Sequence, residues 1–89
     1  MTQPRPPRKT VLVLDDDKAV TSFVSAVLRE AGYNVLVAFD PIQAYRLAQQ
    51  AQPSLILLDL HMPAGGGMSV LDRVMASIRT QAIPVVIMS

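Results

Sequence analysis

The chain has 89 residues, 51% of them apolar and 17% charged, a composition that fits one small globular domain and argues against two domains or extensive disorder. The absence of cysteine removes disulfide frameworks, zinc–thiolate centres and cysteine nucleophiles together, so packing alone must hold the fold. The net charge of +1 is uneven: Arg5, Arg8 and Lys9 share a head with Pro4, Pro6 and Pro7, leaving five basic against seven acidic residues in the remainder.

Residues 1–9 read as a solvated leader of polyproline character rather than as a phosphate-binding arm. With four aromatic residues and no other basic cluster, this segment is not expected to bind nucleic acid directly. Apolar runs stop at four or five residues, far short of the ~20 that cross a bilayer, so no membrane span and a cytoplasmic location are expected.

From residue 10 the hydrophobic period alternates between that of strands and that of helices. Val11, Leu12, Val13 and Leu14 form a continuous apolar run ended by Asp15, as in a strand covered on both faces. Val20, Phe23, Val24, Val27, Leu28 and Ala31 then recur at helical spacing, which predicts a helix with one fully apolar face and Gly32 as its stop. Residues 35–39 read as a second strand. Asp40 and Pro41 supply an N-cap and a first helical residue for a second helix running to about Ala51, with Ala44, Leu47, Ala48 and Ala51 inward.

Leu55, Ile56, Leu57 and Leu58 form the third strand, closed by Asp59. Residues 60–67, with Pro63 and three glycines from Gly65 to Gly67, read as a flexible loop. A third helix places Met68, Leu71, Val74, Met75 and Ile78 inward, the methionines Met68, Met75 and Met88 being packing residues. Beyond Pro84, residues 85–88 make a fourth buried strand that ends at Ser89. Strands alternating with amphipathic helices predict an α/β fold, an open parallel sheet with helices on both faces, as one domain over residues 10–89.

In such sheets the carboxyl ends of the strands form one rim, where ligands bind. The first strand delivers Asp15, Asp16 and Asp17 there, the third Asp59 and the fourth Ser89, whereas Asp40 is explained by capping. Asp17 reads as the acidic start of the first helix. Asp15, Asp16 and Asp59 directly end buried strands. Carboxylates gathered in one cleft repel each other unless a cation neutralises them, and an all-oxygen donor set suits Mg²⁺ or Mn²⁺. An aspartate beside such an ion can attack phosphorus.

An acidic pair after the first strand, the run from Leu55 through Asp59 to Met62 and Pro63 with Gly67 beyond, and a strand closed by Ser89 together resemble the receiver domain of two-component response regulators. The resemblance covers nearly everything after the leader. It implies the flavodoxin-like (CheY-like) fold with strand order 2-1-3-4-5. It further implies Asp59 as phosphoacceptor, Mg²⁺ (or Mn²⁺) held by Asp15, Asp16, Asp59 and the backbone carbonyl of His61, and Ser89 as the switch hydroxyl that turns to the phosphoryl group. The His61 side chain is expected to be a bystander that tunes phosphoryl lifetime.

The implied partner is a histidine kinase or phosphotransfer protein, and the implied role is that of a phosphoacceptor rather than an enzyme. The beginning of the pattern near Met1 favours a response regulator over the receiver of a hybrid kinase. Two other readings compete. A phosphatase with an aspartyl nucleophile would want a second aspartate just after the first, where Leu60 and His61 stand; a degenerate receiver would serve only to bind protein.

The chain departs from the family pattern in lacking a fifth strand and the last two helices, and with them the lysine that pairs with the acceptor. Neither Lys9 nor Lys18 is placed to replace it. The fourth strand is therefore expected to be an exposed edge, either because the chain is part of a longer polypeptide or because a dimer or strand-exchanged assembly covers it.

Overall fold

The structure is a computed structural model that describes residues 8–88; most of the leader and Ser89 lie outside the described residues. Four strands, β1 (Thr10–Leu14), β2 (Asn34–Ala38), β3 (Leu55–Asp59) and β4 (Val85–Met88), alternate with helices α1 (Lys18–Glu30), α2 (Pro41–Ala51) and α3 (Gly66–Ala76). A 3-10 turn over Pro63–Gly65 leads into α3. Every pairing is parallel and the order is β2-β1-β3-β4, as expected for the part of the sheet this chain supplies.

The unbroken apolar run of β1 has a direct explanation in its central position, since Val11, Leu12, Val13 and Leu14 are all buried between the two faces of the sheet. On one face, Leu12, Leu14, Ile56 and Leu58 pack with Ala44 and Ala48 of α2 and Val70 and Val74 of α3. The alanines let α2 approach the sheet closely, which is why its apolar stripe is built from small residues. On the other face α1 lies over β1 and β2.

The caps follow the sequence. Asp40 Oδ1 accepts from the Gln43 amide at 2.8 Å, and Gln43 Oε1 reaches back to accept from the amide of Phe39, just before the cap, at 3.1 Å, so two bonds start α2. Gly32, at φ +98°, turns the chain out of α1 in the left-handed conformation that glycine allows. The second strand closes one residue earlier than expected, at Ala38, and Phe39 lies outside it.

Two helices show which part of their apolar stripes the sheet covers. In α1 the fully buried side chains are Thr21 and Ser25, with Val24 and Leu28 half-buried beside them, whereas Phe23 is 71% and Val27 52% exposed and Val20 is also exposed. Small hydroxyl side chains allow α1 to sit close to β1 and β2. The Thr21 hydroxyl donates to the Lys18 carbonyl at 3.1 Å, while Ser25 Oγ is buried without a partner. Period alone shows that a helix has an apolar stripe; the sheet decides how the helix is rotated.

In α3 the buried residues are Val70 and Val74, and Met68 and Met75, expected to pack inward, are exposed. The helix also stops at Ala76, because Ser77 is extended, and Ile78 lies beyond it on the surface. Thr80 is fully buried and its hydroxyl donates to the Val74 carbonyl at 2.7 Å, satisfying an acceptor that the helix end leaves open. The fourth strand is not buried as a central strand would be: it pairs with β3 alone, and Val86 and Ile87 are exposed.

The burial pattern predicts that Leu12→Ala costs about 2–5 kcal/mol in urea unfolding. The larger truncation Phe23→Ser should change stability by less than ~1 kcal/mol. A loss at Phe23 equal to that at Leu12 would show that α1 is rotated the other way.

Candidate functional site

The site begins with strand register. Leu14 pairs with Leu58, so the next residues along the two parallel strands, Asp15 and Asp59, stand side by side at the carboxyl rim. Asp15 is buried, Asp59 half-buried and Asp16 exposed. One carboxylate oxygen from each of the three falls within 4.8 Å of the others. They line a cleft of about 360 Å³ together with Asp17, Val20, His61 and Met88.

Local hydrogen bonds fix how these carboxylates are offered. Asp15 Oδ1 accepts from the Asp17 amide at 2.9 Å, and Asp59 Oδ1 accepts from the His61 amide at 2.8 Å. Each is a turn in which an aspartate holds the backbone two residues ahead, leaving its second oxygen for another partner. Asp17, by contrast, accepts from the Ala19 amide at 2.9 Å and the Val20 amide at 3.4 Å; it stands at the start of α1 as expected, and does so as its N-cap.

Burial pushes the Asp15 carboxyl above the usual aspartate range, and the nearby charges of Asp59 and Asp16 push it further in the same direction against the lowering effect of the Asp17 amide. A buried carboxylate with like charges on two sides is short of positive charge. The donor set, three carboxylates and no nitrogen or sulfur ligand, fits a hard divalent cation such as Mg²⁺.

The remaining expected site residues fall as follows. His61 is exposed at the cleft edge, with its backbone amide engaged on Asp59. Lys18 does not line the cleft; its ammonium lies 5.8 Å from the centre of the Phe39 ring. Met88, expected to be a packing residue, is half-buried and contributes to the cleft wall, because its register partner is Asp59. Ser89 lies outside the described residues.

Gly67 has a part in the site that its reading as loop flexibility did not provide for. Both Gly66 and Gly67 belong to α3. A Cβ on Gly67 would strike the carbonyl oxygen of Asp59 and come 2.8 Å from Leu60 Cα, and one on Gly66 would come 2.8 Å from Pro41 Cγ. Glycine is therefore required because the first turn of α3 presses on the backbone that carries Asp59. The adjacent glycines were the available signal, legible as close approach as well as flexibility.

Comparison with known proteins gives a consistent result. The response regulator receiver domain family matches residues 11–89. The DNA-binding dual master transcriptional regulator RpaA of Synechocystis is 43% identical over 79 residues, 89% of this chain and 33% of that protein. The chain thus spans about a third of that relative's length. The chemotaxis protein CheY4 of Vibrio cholerae superposes with a TM-score of 0.85 at 30% identity, over 91% of this chain and 68% of that one. The receiver domain of a sensor histidine kinase from Pseudomonas aeruginosa, whose structure has a magnesium ion coordinated in the active-site cleft, gives a TM-score of 0.86 at 26% identity, over 93% and 68%.

Two outcomes follow from the geometry. Without metal, the folded state binds the Asp15 proton more tightly than the unfolded chain does. Asp15 therefore supports folding at pH below the ordinary carboxylate value, and this contribution is lost as pH rises through its raised value. In EDTA, Asp15→Asn should accordingly raise the melting temperature relative to wild type, by a margin that widens from about pH 4 to about pH 7; a variant that loses ground as pH rises would contradict the burial of this charge. Gly67→Ala should cost about 1–3 kcal/mol and shift the amide resonances of Asp59 and Leu60, the backbone it would strike.

Proposed function

The chain belongs to the response regulator receiver family of two-component systems, and from that premise we propose that it accepts a phosphoryl group on Asp59 from a histidine kinase or phosphotransfer protein in a Mg²⁺-dependent reaction. The observation that carries this reading is the Asp59 carboxylate itself. It is half-buried, fixed through one oxygen by the His61 amide, and grouped with the oxygens of Asp15 and Asp16 in a cleft wide enough for a phosphoryl group.

Asp15, Asp16 and Asp59 would hold the ion, with the His61 carbonyl as a further ligand; Mn²⁺ suits the same donors. When bound, the ion supplies charge neutralisation for the approach of an anionic phosphoryl group to three carboxylates. The chain's own residues do the rest. The free oxygen of Asp59 forms the new bond to phosphorus as the bond to the donor's nitrogen breaks, and that nitrogen leaves with the electron pair. The His61 amide keeps the Asp59 side chain in the rotamer that presents this oxygen. The turn at Asp15 does the same for the carboxylate beside it.

Access for the donor is supported by the exposed apolar stripe of α1. Val20 lines the cleft and Phe23 and Val27 continue the stripe away from it, a surface on which a partner helix could rest while its histidine reaches Asp59. Ser89, next along the chain after Met88, would respond to the phosphoryl group and pass the change onward. The output differs among such proteins; for this chain it would lie in a partner or in an attached domain, and the chain's own role would be that of a phosphoacceptor.

The test is intact mass after incubation with acetyl phosphate and Mg²⁺, paired with amide NMR in beryllofluoride. Wild type should gain one phosphoryl group and shift resonances around the cleft, and Asp59→Asn should do neither. An adduct that survives in Asp59→Asn, or a polypeptide carrying all five strands of the receiver that takes none with Mg²⁺ present, would remove Asp59 from the role.

A further inference from the structure

Away from the acidic rim, the outer seam between α2 and α3 carries a second feature. Ile42, Tyr45, Arg46 and Gln49 follow one another at helical spacing along α2, and Arg73 faces them from α3; with Gln50 they line a groove of about 440 Å³. Ile42 is 70% exposed, a large apolar side chain left in water. Beyond residue 9 the chain has five basic residues, and three of them, Arg46, Arg73 and Arg79, belong to this seam.

The groove is held in shape by its own contacts. The Arg73 guanidinium lies 5.5 Å from the centre of the Tyr45 ring. Tyr45 OH accepts from Gln49 Nε2, and the Gln49 carbonyl accepts from the Arg79 guanidinium at 2.9 Å. Arg79 is thus committed to the protein. Among the described residues, Arg46 and Arg73 neither donate a hydrogen bond nor pair with a carboxylate, although Arg73 already lies over the Tyr45 ring. The carboxylate at the head of the seam, Asp40, has one oxygen taken by the Gln43 amide.

We infer that the α2–α3 seam is a docking groove for an extended acidic segment of a partner protein. Guanidinium groups match carboxylates in two-point geometry, and one already lying over an aromatic ring loses less freedom when it binds. The exposed Gln50 amide offers a donor and an acceptor suited to a peptide backbone, and Ile42 offers an apolar contact for a side chain between the acids. An 11-residue helix is about 16 Å long, room for about five residues of extended chain. A nucleic-acid strand fits less well. The single aromatic in the groove, Tyr45, is half-buried and has Arg73 on it, so it offers no free platform for base stacking.

The experiment uses the 89-residue chain and a fluorescein-labelled peptide of alternating glutamate and leucine, followed by anisotropy at low and moderate salt. Saturable binding that weakens with salt is expected, with the joint substitution Arg46→Glu and Arg73→Glu weakening it about tenfold or more. Arg29→Glu, the same charge change at an exposed site on α1, should leave binding within about twofold of wild type. Arg73→Lys keeps the charge and removes the planar group over the ring, and should weaken binding to an intermediate degree. Circular dichroism of each variant secures that it is folded, and if the glutamate variant is not, Arg46→Gln with Arg73→Gln takes its place. No saturable binding, equal weakening by Arg29→Glu, tighter binding to a single-stranded oligonucleotide or to anionic vesicles than to the peptide, or a self-association that depends on Arg73 would each overturn the proposal. Because none of these variants touches Asp59 or the cleft, failure here leaves the phosphoacceptor reading standing, and the reverse also holds.

Discussion

The parallel pairing of β1 with β3 is the constraint on which the rest of this molecule depends. Setting Leu14 against Leu58 forces Asp15 and Asp59 together where the sheet ends. Two carboxylates at such a place repel, and the fold keeps them there because the apolar residues immediately before them are buried in the same sheet. Both strands are apolar on both faces, so what opposes a slip of one residue is that it would set a carboxylate against a buried leucine of the neighbouring strand. The charge shortfall that makes the cleft receptive to a cation is thus a by-product of where the hydrophobic effect places the strands.

Around that pair, the backbone supplies the finer positioning. The turns at Asp15 and Asp59 each consume one oxygen and leave one, so the chemistry available at the rim is set by amides two residues away. The first turn of α3 presses against the Asp59 carbonyl with only a glycine between. Packing of α3 on the sheet and the placement of Asp59 are consequently linked, and a change at one is transmitted to the other through backbone contact. The buried Met62, which belongs to the core under α2 and α3, anchors the intervening segment.

The two faces of the sheet differ in how far they are closed. The face under α2 and α3 has a continuous core from Ala38 to Val74, whereas α1 buries only Thr21 and Ser25 fully on the other face and turns Val20, Phe23 and Val27 outward. Outward apolar residues along α1 and on β4, beside a reactive rim and opposite an arginine-lined seam, give a small domain surfaces of different chemistry. Separate surfaces suit a signalling module, because a donor, an output and a further partner need not compete for one site.

The amino-acid sequence by itself determined the alternation of strands and helices, the cap at Asp40, the acidic start of the first helix at Asp17, and the aspartates that close the first and third strands, because these are governed by local period, backbone hydrogen bonding and residue type. It also carried the family resemblance, through motifs a few residues long. Only the tertiary structure decided which side of α1 meets the sheet, that Met68 and Met75 lie outside the core, and that Gly67 marks close contact. These depend on distances between segments far apart in the chain. Helical period defines a stripe without its rotation, and a glycine states what a position lacks without saying what lies opposite. The seam of Arg46, Arg73 and Tyr45 was illegible for the same reason: its members lie on two helices, and tertiary packing alone brings them together.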